Sequence, residues 1–182
     1  MNSASTELNP AALNSGPRPV ESARLREVMA RFATGVTVIT VGGEHLHAMT
    51  ANAFSSVSLN PPSVLCSVGH SAVMHGALSS AGRFAVNILG VPQEGLARHF
   101  ADKRRTLGAA QFDGVEWRPG EHTGAPLIAG SVAWLECELT ASHSFGDHTI
   151  FIGTVLATGQ GDDENGLLFV NGRFGSSVPA LH

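Results

Sequence analysis

Apolar and polar positions follow different rhythms along the chain, and each rhythm predicts a different element. Leu25, Val28, Met29 and Phe32 recur at i, i+3, i+4 and i+7, the stripe of an amphipathic helix that Ser22 can cap and that ends before Gly35. Residues 36–41 (V-T-V-I-T-V) are β-branched at nearly every position and read as a strand, turned by Gly42 and Gly43. Residues 45–58 predict a strand or a pair of strands, residues 64–68 a buried strand and residues 83–89 (R-F-A-V-N-I-L) another. Residues 72–81 have helical spacing through Val73, Met74, Ala77 and Leu78 and close at Gly82. Residues 93–100 read as a further helix, followed by a polar segment to about Gly120.

A long β run is predicted over 126–133 and 134–142, where Glu136 and Glu138 alternate with Leu135, Cys137 and Leu139. Residues 148–158 predict the last long strand and 167–174 a short closing one. Strands dominate and no βαβ repetition appears. The pattern therefore predicts a mainly β fold, an antiparallel barrel with peripheral helices. Residues 1–20 are rich in Ser, Asn, Ala and Pro without periodicity and read as a disordered tail. Residues 21–176 form the expected single domain, and 177–182 a short C-terminal tail.

The rest of the chain is organised around residues 47–66 (H-A-M-T-A-N-A-F-S-S-V-S-L-N-P-P-S-V-L-C). Alternation over Ser56, Val57, Ser58 and Leu59 predicts a strand with one buried and one polar face. Thr50, Asn52, Ser55 and Ser56 offer short hydrogen-bonding groups among small neighbours. They suit either a shallow cleft that admits a flat ligand or an ordinary solvated strand face.

Composition narrows the choices. A chain of 182 residues at 43% hydrophobic content has the material for one core. A net charge of −4 with 11 Lys and Arg argues against a nucleic-acid binder. No apolar run approaches the ~18 residues of a membrane span, and the N-terminus lacks the basic and apolar regions of a signal peptide. Cys66 and Cys137 form no C-x-x-C pair and sit in apolar runs, which reads as buried thiols in a reducing cytoplasm. Nine histidines show no metal-binding spacing; His45 and His47 are expected on one strand face. The Lys103-Arg104-Arg105 cluster reads as a solvated loop or as a contact to a ligand phosphate. Neither a Rossmann fingerprint nor a Gly-x-Ser-x-Gly elbow is present.

An ordered set of motifs then becomes informative. These are R-F-A-T-G-V-T-V-I-T over 31–40, T-A-N-A-F-S-S-V-S-L-N-P-P over 50–62 and G-R-F-A-V-N-I-L over 82–89. F-D-G-V at 112–115, G-A-P-L at 124–127, L-E-C at 135–137, G-D-H-T-I-F-I-G at 146–153 and G-R-F-G at 172–175 follow. In this order they resemble the short-chain flavin reductases, the reductase components of two-component flavin-dependent monooxygenases. The resemblance implies an FMN-binding split β-barrel, a Greek-key-like antiparallel barrel that forms a homodimer with flavin near the subunit interface. It also implies hydride transfer from NADH or NADPH to FMN or FAD, and delivery of reduced flavin to a partner monooxygenase. A flavin-binding module without turnover, or an enzyme that keeps its flavin, would use the same scaffold.

By that resemblance Thr50, Ala51, Asn52 and Ala53 lie along the flavin ring edge, with Ser55 and Ser56 near the ring or ribityl chain. Ser67, His70 and Ser71 lie towards the ribityl phosphate, where a helix start offers free N–H groups. His148 contacts and orients the nicotinamide or flavin, although it also reads as a strand-capping histidine. His99 and Phe100 border the flavin site. Arg173 binds the dinucleotide phosphates or pairs with a carboxylate across the dimer. One departure stands out: where relatives often carry a Ser-Ser-Arg-Thr-like run, this chain has Ser71-Ala72-Val73-Met74 and no cation.

Overall fold

From the N-terminus, helix α1 (Ser22–Met29) leads into β1 (Thr34–Gly35) and β2 (Thr37–Val41). Strands β3 (His47–Ala51), β4 (Phe54–Leu59) and β5 (Pro62–Gly69) precede α2 (Val73–Ala81), β6 (Arg83–Ile88) and α3 (Glu94–Ala101). Then come β7 (Trp117–Pro119), β8 (Pro126–Ile128), the long pair β9 (Ala133–Phe145) and β10 (His148–Gln160), and finally β11 (Leu167–Val170) and β12 (Arg173–Ser176). The computed structural model describes residues 19–162 and 164–177; the tails assigned to 1–20 and 177–182 fall almost wholly outside them.

Seven strands form one antiparallel sheet in the order β3-β2-β6-β9-β10-β5-β4. β3 and β4 occupy its two opposite edges although only Asn52 and Ala53 separate them in the chain. The curled sheet is thus joined at a two-residue seam instead of by a ladder. Small accessory ribbons, β7 with β8 and β1 with β11 and β12, lie apart from it in the pairing.

Two cores explain the strand composition. One gathers Ile39, Phe84 and Phe151 with Met74 and Leu78 of α2; the other gathers Val38, Leu89, Phe100 and Leu167. β2 sends Ile39 to the first core and Val38 to the second, so every residue in it is buried. A strand covered on both faces needs apolar or β-branched residues throughout, as its sequence has. At Gly153 β10 crosses so close to Phe84 that a Cβ would stand 2.7 Å from the ring. Gly82 closes α2 at φ 66°, a left-handed conformation suited to glycine.

Several expectations change. Glu21, not Ser22, is the residue before α1, and it makes no side-chain cap. The apolar stripe of α1 is uncovered, with Phe32 just beyond it 66% exposed. The alternation in β4 does not bury a face either, since Val57 is 49% and Leu59 93% exposed. β4 is the edge strand, bonded to β5 alone, and its two apolar side chains beyond Phe54 stand largely in the open. The β run over 126–142 breaks at Gly130 (φ 74°), and its first part pairs with β7 outside the main sheet. The single closing strand is a hairpin, turned at Asn171 (φ 50°) and Gly172 (φ 72°), which fits an Asn-Gly turn. His45 and His47 do not share a strand face: His45 ends a 3-10 turn and only His47 enters β3.

Candidate functional site

The seam opens on a cavity of about 750 Å³. Met29 and Phe32 bound it from the end of α1, Thr34 and Thr37 from the segment entering the sheet, and Asn52 and Ala53 from the seam. Ser55, Leu65 and Ser67 supply the wall from β4 and β5. Among the described residues no charged side chain lines it. The Thr34 hydroxyl is buried there without a hydrogen-bond partner among the described residues. A neutral, roomy slot with apolar sides and a few hydroxyls and amides suits a flat heterocycle with a polar edge, which is the chemistry of an isoalloxazine.

The seam itself is held at three points. The Thr50 hydroxyl donates to the Ala97 carbonyl at 2.7 Å, and the Thr37 hydroxyl donates to the Ala51 carbonyl at 2.7 Å. The Ser67 N–H donates to the Ala53 carbonyl at 3.0 Å. Thr50 and Ala51, expected along the ring edge, therefore serve the seam from behind, while Asn52 and Ala53 face the cavity.

Strand register fixes the second part of the site. Leu65, Ser67 and Gly69 on β5 pair with Ile152, Ile150 and His148 on β10, so all six project from one face. His148 thus stands on the same face as Ser67, two residues and about 7 Å along. Its ring is half exposed, with Nδ1 2.7 Å from an Asp147 carboxylate oxygen. It rests beside Gly69, where a Cβ would lie 3.5 Å from Nε2. The hydrogen bond to His148, and the imidazole's positive charge when protonated, hold the exposed Asp147 carboxyl below its ordinary value.

On the opposite, core-facing side, the Thr149 hydroxyl meets three partners: His70 Nε2 at 3.1 Å, His75 Nε2 at 2.9 Å and Ser144 Oγ at 3.1 Å. The His70 N–H also donates to the Asp147 carbonyl at 2.9 Å. These bonds tie the loop before α2 to the β9–β10 turn. The His70 side chain is directed to Thr149, and Ser71 is exposed in the loop. Neither lines the cavity.

The remaining candidates separate from the site. Ser56 projects from the face of β4 opposite Ser55. Phe100 is fully buried in the second core, so it has no surface to offer a ligand, and this corrects its expected place beside flavin. His99 Nε2 is 2.8 Å from the Gln111 carbonyl, a bond that anchors the loop after α3. Arg173 is exposed on β12 and lies outside the cavity lining.

The basic cluster is dispersed. Arg104 pairs with Asp102 at 3.2 Å, while Arg105 donates to the Asp102 and Ala48 carbonyls and approaches His47 Nε2 at 3.3 Å. Burial first, and the Arg105 charge second, push the His47 imidazole down to about 4. Among the lining residues to which the sequence reading gave no site role are Met29 and Leu65, and also Phe32, Thr34 and Thr37, which lie within the 31–40 motif.

An antiparallel barrel left open at a seam, with an uncharged slot along it, is a split barrel built to take a flat ligand. Comparison with known proteins narrows this class. A model of the flavin reductase like domain matches residues 29–177. The NADH-dependent FAD reductase of Streptomyces globisporus is 51% identical over 161 residues, covering 88% of each chain. The crystal structure of BorF, flavin reductase component of a bacterial two-component tryptophan halogenase, superposes with a TM-score of 0.82 at 44% identity. That match covers 86% of this chain and 98% of the other. The Streptomyces globisporus NADH:FAD oxidoreductase SgcE6, solved with NAD and FAD fragments, gives 0.80 at 50% identity over 86% and 93%. This chain belongs to the flavin reductase family.

Proposed function

We propose that this chain is an NADH-dependent FAD reductase that releases reduced flavin to a separate flavin-dependent oxygenase. The observation that carries the reading is its half-identity, over nearly the whole length of both chains, to a relative named as an NADH-dependent FAD reductase. The uncharged cavity supports it. When bound, flavin supplies a ring that accepts the hydride of the reduced nicotinamide.

The chain's own residues bind and align. Asn52 and Ala53 meet the polar ring edge, with Thr50 and Ala51 as their support. Ser55 and Ser67 flank the ring, and Met29 and Phe32 exclude water from one side. His148 orients the nicotinamide from the outer face of β10; hydride transfer needs chiefly proximity and alignment, so no proton transfer is asked of it. The turn before α2 lies towards the ribityl phosphate through the Ser71 backbone, the His70 N–H being held by the Asp147 carbonyl. Arg173 serves a dinucleotide phosphate, and His99 stabilises the wall behind the seam.

The working unit is a homodimer of the 21–176 domain, supported by the uncovered apolar residues of α1 and β4. The cytoplasm is its compartment, in keeping with two buried free thiols. Anaerobic titration of the purified protein with NADH or NADPH, with FMN or FAD supplied in turn, tests the activity. Catalytic bleaching of many FAD molecules per chain with NADH is the expected result. Bleaching of one bound flavin only, or none, would overturn the reading.

A further inference from the structure

Between the two edges of the barrel the 51–52 and 53–54 peptide planes, which flank the Asn52–Ala53 pair, are both pinned. The Ala51 carbonyl accepts from the Thr37 hydroxyl, and the Ala53 carbonyl accepts from the Ser67 N–H. A trans peptide is planar, so fixing the direction of the Ala51 carbonyl also fixes the direction of the Asn52 N–H on the other side of the same plane. Among the described residues the N–H groups of Asn52 and Ala53 and the Asn52 side-chain amide have no hydrogen-bond partner. Thr37 is 3% exposed, yet it borders the cavity. It pairs in register with Ala51, the last residue of β3 before the chain leaves the sheet.

A valine would satisfy the packing and strand propensity at position 37 as well as threonine does. Every other residue of the V-T-V-I-T-V run except Thr40 is a hydrocarbon, and the Thr40 hydroxyl is committed elsewhere, donating to the Pro126 carbonyl at 2.7 Å. The hydroxyl of Thr37 therefore has one identifiable task, which is to hold the seam carbonyl.

We propose that Thr37 is a positioning residue for flavin: through the Ala51 carbonyl it sets the direction in which the seam presents the Asn52 N–H to the polar edge of the ring. This rests on the reading that Asn52 and Ala53 meet that edge. Loss of the hydroxyl leaves the 51–52 plane held by the end of the β2–β3 ladder alone and lets it tilt, and a misaligned donor has a weaker hydrogen bond to the ligand. The nicotinamide side, on the outer face of β10, keeps its geometry.

The test compares Thr37→Val, Thr37→Ser and Asn52→Leu by fluorescence titration of oxidised FAD and by steady-state kinetics. Thr37→Val is expected to weaken FAD binding about three- to tenfold, to raise the KM for flavin in step, and to leave the KM for NADH and kcat at saturating flavin unchanged. Thr37→Ser restores the wild-type values. Unchanged FAD binding in Thr37→Val, with Asn52→Leu weakened, would overturn the positioning role alone. Unchanged binding in Asn52→Leu would overturn the site reading and this inference with it. A Thr37→Val variant that loses affinity for both ligands alike, unrescued by serine, would mark a purely structural residue.

Discussion

His47 and His148 show how position in the sheet sets the behaviour of the same side chain. His47 is enclosed beside a guanidinium, and its imidazole is held neutral to about pH 4. In the unfolded chain it titrates near the ordinary 6.5, so as pH falls the unfolded state takes up a proton that the folded state refuses. Stability therefore drops between about pH 6.5 and 4 and loses nothing more to this residue below that, by roughly 2–3 kcal/mol in all. Melting temperatures across that window should fall for the wild type and less steeply for His47→Gln, which keeps an acceptor for Arg105 without titrating; parallel curves would refute the assignment. His148, half exposed on the outer face, is expected to act on ligand instead of fold. His148→Ala should raise the KM for NADH several-fold at an unchanged melting temperature and unchanged FAD affinity. Kinetics identical to the wild type would make it a strand cap only.

At the scale of elements, the sequence was legible wherever one rhythm had one cause. Of the α2 stripe Met74, Ala77 and Leu78 are buried as expected while Val73 is exposed, and the β-branched β2 is buried throughout because it packs against cores within the same chain. Reading failed where the partner of an apolar face was not another element of the domain. The stripes of α1 and β4 look like core positions in the sequence, but nothing among the described residues covers them. The Asn171-Gly172 turn was a readable hairpin signal overlooked inside a short β pattern. For the site, Asn52 and Ser55 could be anticipated from their short polar side chains, and Ala53 and Ser67 from the family resemblance. Phe32, Thr34 and Thr37 could not, because only the curl of the sheet brings the end of α1 and the start of β2 across from β5. Phe100 was misplaced for a related reason: its neighbour His99 is partly exposed, and a helix turns the next residue inward.

At the scale of the whole molecule, several large apolar side chains among the described residues stand uncovered. Leu25, Val28, Met29 and Phe32 along and just after α1, and Val57 and Leu59 on the edge strand, are each about half exposed or more. A second copy is the expected cover. Light scattering behind size exclusion should give twice the chain mass at micromolar concentration, and the double change Val57→Asp with Leu59→Asp should yield monomers. A wild type that runs as a monomer at tens of micromolar would refute the dimer.

The two-residue seam also governs how the barrel breathes. β6, β9 and β10 have ladder partners on both sides for part of their length, whereas β3 and β4 are each bonded along one side only. Backbone amides at the seam are thus the part of the sheet whose exchange with deuterated water requires the least disruption of neighbouring structure. A ligand that spans Asn52 and Ala53 takes the place of the missing rung, so occupancy would be written first into the exchange rates of β3 and β4, with the central strands scarcely altered.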